Sequence, residues 1–236
     1  MQFHSADRYI SADNPDDSGR TAYHRSTPVA GVSFAPAANW RWHLAAGRGL
    51  ETPTFNELAY RADGAPGLAL DLRAARSQQW ETGLRWQAGP QARASLTLFR
   101  ADTADELAVA SSSGGRSAYR NVGSTRRQGW ELEARLPLNE QLQAQLAWTR
   151  LDARVRQCDA RGCAGLQPGR RLPGTARDVL ALQLQGQHAG WQWQLGTSAI
   201  SAMPADDANL ARAPGHLLLD AGLWRDWMTS AGPVQL

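Results

Sequence analysis

Residues 47–61 are rich in side chains that can grip a ligand: Arg48, Glu51, Asn56, Glu57, Tyr60 and Arg61. They lie in a connection spanning about residues 47–76, far longer than a hairpin turn. A long loop on a rigid sheet is where binding groups usually sit. The same stretch also carries Leu50, Phe55 and Leu58, so an ordered loop packed on itself is an equal expectation. A second set of candidates is basic: Arg116, Arg120, Arg126, Arg127, Arg170 and Arg171, all near strand ends or loops. They could draw an anionic ligand to a mouth, or face lipid phosphates at a rim. Cys158 and Cys163 are the only cysteines and sit in Cys-Asp-Ala-Arg-Gly-Cys. Two cysteines so close in a polar loop suit a local disulfide in an oxidising compartment, with free thiols as the alternative. Zinc would need two further ligands, and none is near.

Enzyme chemistry finds little support. The histidines at 4, 24, 43, 188 and 216 are scattered without metal-type spacing. No Gly-x-Ser-x-Gly elbow is present. Glu131 and Glu133 share a strand face and mimic a pair of acids, but Arg127 and Arg135 share it too, so a salt-bridge ladder is expected. The acidic loop at 13–19 fits no EF-hand spacing. No metal or cofactor is expected. A net charge of +3 is too small to argue for nucleic acid.

The elements that must hold these side chains are strands. Hydrophobic residues make up 42% of the chain, which excludes a disordered composition. Alternation with period two recurs along nearly the whole chain. Trp40, Trp42, Leu44 and Ala46 share one face, as do Trp80, Thr82, Leu84 and Trp86. Ala94, Leu96 and Leu98 repeat the pattern, then Trp130, Leu132, Ala134 and Leu136, then Leu142, Ala144, Leu146 and Trp148. Leu180, Leu182 and Leu184, then Trp191, Trp193 and Leu195, and finally Leu217, Leu219, Ala221 and Leu223 complete it. The opposite face carries Gln, Glu and Arg.

Connections alternate in length. Short ones fall near 36–39, 88–91, 137–140 and 187–190, long ones near 47–76, 102–118, 153–177 and 199–215. In an up-and-down sheet this sends every long connection to one end, the habit of outer-membrane barrels. Ten Trp against four Phe and four Tyr fit the same reading: Trp40, Trp86, Trp191 and Trp227 flank short turns, and Trp80, Trp130 and Trp148 lie toward the long connections, with an apolar band between the two groups. The expected fold is therefore all-β: an antiparallel up-and-down transmembrane β-barrel, with about ten strands legible in this chain.

Residues 45–58, Ala-Ala-Gly-Arg-Gly-Leu-Glu-Thr-Pro-Thr-Phe-Asn-Glu-Leu, resemble the barrel signature of TonB-dependent outer-membrane receptors. Residues 98–107, residues 121–132 and the Arg-Leu-Pro-Gly-Thr of 171–175 look like the same family. Ser112-Ser113-Gly114-Gly115-Arg116 followed by Tyr119, with the Cys pair ahead of Arg171, is similar to the branch that includes the pyrroloquinoline quinone receptor. The resemblance implies a barrel of about 22 strands around an N-terminal plug. It implies a Gram-negative outer membrane, contact with its lipid and lipopolysaccharide, and import driven by TonB. The ligand would be a ferric siderophore or pyrroloquinoline quinone, with Arg48, Asn56, Glu57, Tyr60, Arg116 and Arg127 as contacts. Residues 1–236 are expected to be a partial barrel domain lacking signal, plug, TonB box and terminal strands. An open sheet leaves two edges that lipid does not tolerate, so this length alone is expected neither to insert stably nor to transport. The rivals are a soluble or surface adhesin- or lectin-like β module and a non-functional truncated receptor.

Overall fold

The computed structural model describes residues 1–6, 17–158, 166–229 and 232–235, with side chains described as far as residue 227. The strands are β1 (Gln2–Ser5), β2 (Gly19–Ala22), β3 (Val29–Ala37), β4 (Trp40–Glu51), β5 (Ala75–Ala88), β6 (Ala92–Ala104), β7 (Leu107–Ser113) and β8 (Arg116–Asn121). Then come β9 (Ser124–Pro137), β10 (Leu142–Gln157), β11 (Asp178–His188), β12 (Trp191–Ile200), β13 (Met203–Pro204), β14 (Arg212–Ala213), β15 (His216–Thr229) and β16 (Gly232–Gln235). One short helix, α1 (Phe55–Leu58), lies between β4 and β5.

Ten strands form one antiparallel meander in the order β3-β4-β5-β6-β9-β10-β11-β12-β15-β16. The expected ten-strand sheet is thus present, and it is not closed: among the described residues β3 and β16 are its two edges. The hairpins β7–β8 and β13–β14 rise from long connections at one end, and β1 pairs with β2 apart from the main sheet. No helix is long and apolar enough to cross a membrane, which says nothing about strands.

Register follows the sequence alternation. Leu84 faces Trp42 and Leu96, Leu132 faces Leu96 and Trp148, and Leu182 faces Leu146 and Thr197. Much of this face stands open: Leu96 is 44% exposed, and Leu195 and Leu219 on the same face are 50% and 77% exposed. A sheet face that leaves its leucines bare suits hydrocarbon, not water. The opposite face sets Glu81 beside Ala45 and Phe99, Glu131 beside Thr97 and Thr149, and Gln183 beside Gln145 and Gly196. The expected ladder among Glu131, Glu133, Arg127 and Arg135 does not form. Arg127 reaches Glu106, and Arg135 donates to Gln143. The carboxylates sit opposite Thr, Ser and Ala, because register, not sequence proximity, chooses a strand residue's neighbours.

The tryptophans descend through this register as a staircase. Trp80 is level with Arg100 and Gln128, Trp130 lies one pleat nearer the short turns, and Trp148 one pleat further. Two pleats over three strands, at about 6.8 Å per pleat and about 4.8 Å per strand, correspond to a strand tilt of roughly 40–45°. Membrane barrels tilt their strands by about that much. Trp86 and Trp193 descend the same way near the short turns, two pleats over five strands. Both lines therefore run down the sheet in the same direction, the one near the short turns less steeply, at roughly 30°. Among the short turns, Ala189 (φ 50°) and Gly190 (φ 80°) make the two-residue left-handed turn whose twist matches a hairpin.

Candidate functional site

The long connections are not open loops. β4 continues to Glu51 and β5 begins at Ala75, so the connection is shorter than its sequence expectation and Arg48 belongs to a strand. Within it, Thr54 and Glu57 cap α1 reciprocally. The Glu57 N–H donates to Thr54 Oγ1 at 3.3 Å, and the Thr54 N–H donates to Glu57 Oε2 at 2.6 Å. The cap turns Leu58 inward. Leu58, 1% exposed, packs with Ala69 and Leu72 against Phe3, Leu107 and Tyr119. A second cluster joins Val122, Ala153, Val155, Leu166 and Leu172. Buried apolar side chains thus gather at the long-connection end.

A polar clamp holds this cap to the sheet. Asn121 accepts from the Arg73 N–H at 2.8 Å and donates to the carbonyls of Arg73 and Asp105 at 2.8 and 2.7 Å. Asp105, in the left-handed region at φ 58°, accepts from Arg73 at 2.8 Å and from Arg76. Arg127 grips Glu106 through two nitrogens, at 2.5 and 3.0 Å, and Thr125 donates to the same carboxylate. Burial works to raise the Glu106 pKa, but the hydrogen bonds from Arg127 and Thr125 and the Arg127 charge outweigh it and hold it below the ordinary range. Asp105 is likewise opposed by burial and lowered by Arg73 and Arg76. Further along, Asn209 (φ 56°) binds both the N–H and the carbonyl of Arg171 at 2.9 Å, stitching two long connections together.

The predicted contact residues therefore part company. Tyr60 and Arg116 come together from two different connections, the guanidinium carbon 5.4 Å from the ring centroid. Both are exposed, and Asn56 is exposed on the same connection as Tyr60. Glu57 is occupied by the helix cap, and Arg127 by Glu106. Arg48 lies opposite Gln78 on the outward face, whereas Arg127 lies on the other. Cys158 ends a described segment, and its expected partner Cys163 lies outside the described residues. Sequence reading missed α1, although Thr-x-x-Glu at 54–57 is a capping-box signature. It also missed Asn121, Glu106 and Asn209, whose partners are distant in the chain and leave no local pattern.

Residues 2–231 match the family model described as TonB dependent receptor-like, beta-barrel. Among solved structures, the fold is similar to the ferric yersiniabactin uptake receptor FyuA from Yersinia pestis, with TM-score 0.71 and 15% identity over 99% of this chain and 38% of that one. It is similar to the ferric citrate transporter FecA, with TM-score 0.69 and 18% identity over 92% and 33%. It is also similar to the copper transporter OprC, with TM-score 0.68 and 12% identity over 92% and 33%. The chain thus spans 38%, 33% and 33% of these three proteins' lengths.

Proposed function

Because the chain belongs to the TonB-dependent receptor-like β-barrel family, we propose that it is part of an outer-membrane receptor that captures a scarce small ligand outside the cell. In this reading residues 1–236 form one section of the barrel domain. Import is driven by TonB acting on another part of the receptor. The observation that carries it is the joining of Tyr60 to Arg116 at the top of a folded cap, on a sheet whose other end has only tight turns. Exposed Asn56, Tyr60 and Arg116 then supply a hydrogen-bonding amide, an aromatic face and a cation. That set suits a rigid, anionic, ring-bearing molecule. Ferric siderophores and pyrroloquinoline quinone both have that chemistry. Glu57 and Arg127 serve the scaffold and Arg48 lies on the outward face of β4, so none of the three is assigned to the ligand. Disulfide closure by Cys158 and Cys163 belongs to the same proposal, since that connection would face an oxidising exterior.

The test begins with antibody detection of the native product in outer-membrane fractions. Uptake of ferric siderophores and of pyrroloquinoline quinone is then compared in energised and de-energised cells. The paired Tyr60→Ala and Arg116→Ala variant is expected to weaken ligand binding about tenfold, corresponding to about 1.4 kcal/mol, at unchanged receptor abundance. Absence from that fraction, or uptake indifferent to energisation, would overturn the reading in favour of a surface-binding β module or a relic.

A further inference from the structure

The inner face of the sheet sets like charges directly opposite one another. Arg41 faces Arg85 across β4 and β5, and Arg93 faces Arg135 across β6 and β9. Arg85 and Arg93 are diagonal neighbours across β5 and β6, because Arg85 is level with Ser95 and Gln87 with Arg93. Four adjacent strands thus hold one band of guanidiniums close to the short turns. Like charges directly opposite destabilise a sheet. The chain does not neutralise this band. Among the described residues Arg85 donates to Gln87 at 3.4 Å and Arg135 to Gln143 at 2.9 Å, both neutral amides. Arg41 and Arg93 have no side-chain partner among the described residues. Arg127, on the same face but nearer the long connections, is by contrast paired with Glu106.

The band opens onto a hollow. The register line that holds Arg93 and Arg135 runs on through Gln145, Gln183 and Gly196 to Asp220 on β15. It borders a cavity of about 680 Å³, the size of a small-ligand site. One pleat toward the long connections its floor is Ala147, Ala181 and Ser198, side chains too short to fill it. Arg85 and Glu133 close one side. At the other side the Asp220 carboxylate lies over Gly196, where a Cβ would collide with both of its oxygens. The amides near the floor are tied in place: Gln145 donates to Gln185 at 3.4 Å, and Gln185 donates to Gln194 at 3.2 Å. The wall is therefore polar in sequence: three arginines with one glutamate, then amides, then a carboxylate.

We infer that this hollow is a station for the ligand between its capture at the cap and its release at the short-turn end, and that it takes a compact polycarboxylate. The carboxylates are received by Arg85, Arg93 and Arg135. The body of the molecule lies over Ala147 and Ala181 beside the amides, and an N–H or O–H at its other end donates to Asp220. Guanidiniums offer paired donors to carboxylates. A basic band on the wall of a polar lumen also raises the local concentration of anions. A neutral ligand would leave the arginines opposed, and a ligand without a donor would leave Asp220 unmet. The inference rests on the receptor reading above and deepens it by naming the substrate class. Pyrroloquinoline quinone, a ring system with carboxylates and an N–H, belongs to that class.

The test uses the complete receptor in cells, with radiolabelled pyrroloquinoline quinone as the probe and its neutral trimethyl ester as the control. A photoreactive benzophenone amino acid replaces Gln183 in the hollow or, in a second strain, Leu182 on the outward face. Illumination during energised uptake is expected to label the receptor from position 183 with the acid, not with the ester, and not from position 182. De-energised cells should give no label. Arg93→Gln with Arg135→Gln should lower labelling and energised uptake about tenfold while capture on de-energised cells stays at the wild-type level. Photoproducts at 183 that join only two parts of the receptor would make the hollow a packing wall and overturn the station. Equal labelling by acid and ester, equal labelling without energisation, or undiminished labelling in the double variant overturns it too. All of these outcomes leave the receptor reading intact, as does uptake of ferric siderophores alone, which overturns the polycarboxylate assignment. Wild type that captures and imports neither pyrroloquinoline quinone nor any ferric siderophore overturns both. Folding is checked by heat-modifiable migration, and if the double variant loses it, Arg93→Gln alone decides by the same label count.

Discussion

The sheet and the cap at its long-connection end are built for different solvents. On the sheet, Leu96, Leu195 and Leu219 stand open to the surroundings. In the cap, Leu58 and Val122 are each 1% exposed and Val155 is fully buried. Between its two edge strands the sheet meets its backbone polarity through its own ladder, as a structure in hydrocarbon must. The cap uses the means of a small water-soluble domain: a capped helical turn, two apolar clusters, and carboxylates held by arginine. One chain thus keeps apolar side chains outward over its strands and inward over its connections. The boundary between the two conventions is the upper Trp line.

The sharpest way to break this contrast is to empty the cap. Leu58→Ala should cost about 3 kcal/mol of local stability. Limited proteolysis should then cut the connection between β4 and β5 readily while the strands resist. If the strands melt with the cap, the two regions are not separate. Next in size is the reverse experiment on the sheet. Leu96→Arg should cost about 2–4 kcal/mol in bilayer folding titrations, because hydrocarbon rejects the charge. On a water-facing surface the same change would stay within about 0.5 kcal/mol, and that result would return the sheet to a soluble protein. The smallest effect is a pH dependence confined to the cap. Glu106 and Asp105 have lowered pKa values in the fold. Their contribution is full above the ordinary carboxylate range near pH 4 and is lost as pH falls through the lowered values. Proteolytic opening of the cap should rise over that acid interval with strand content unchanged, and Glu106→Gln should flatten the profile.

The two regions also differed in what their residues disclosed. Period-two alternation and the rhythm of short and long connections made the sheet legible, down to its faces and its ten strands. A strand's faces are a local property, and every turn that joins strands here by two to four residues is local too. The cap was legible only where its logic was local, as in Thr54 and Glu57. The alliance of Asn121 with Arg73 spans 48 residues, and the pairing of Arg127 with Glu106 spans 21. Such contacts depend on how connections fold back over the sheet, which no window of sequence records. Tyr60 and Arg116 were both singled out as contacts, but their meeting was visible only in three dimensions. Glu57 and Arg127 had suitable chemistry for a ligand, and the fold engages them in the α1 cap and the Glu106 pair, while Arg48 lies on the outward face of β4.

The slanted lines of tryptophan carry an implication for how such a chain can change over time. Adding one residue inside a strand exchanges its faces, and adding two moves its tryptophan by a full step of the staircase. Either edit puts a side chain in the wrong phase of the membrane. The tight turns are therefore arithmetic constants, whereas the long connections can lengthen, shorten or be replaced without disturbing the count. One end of the molecule is thereby free to vary because the other end keeps the tally.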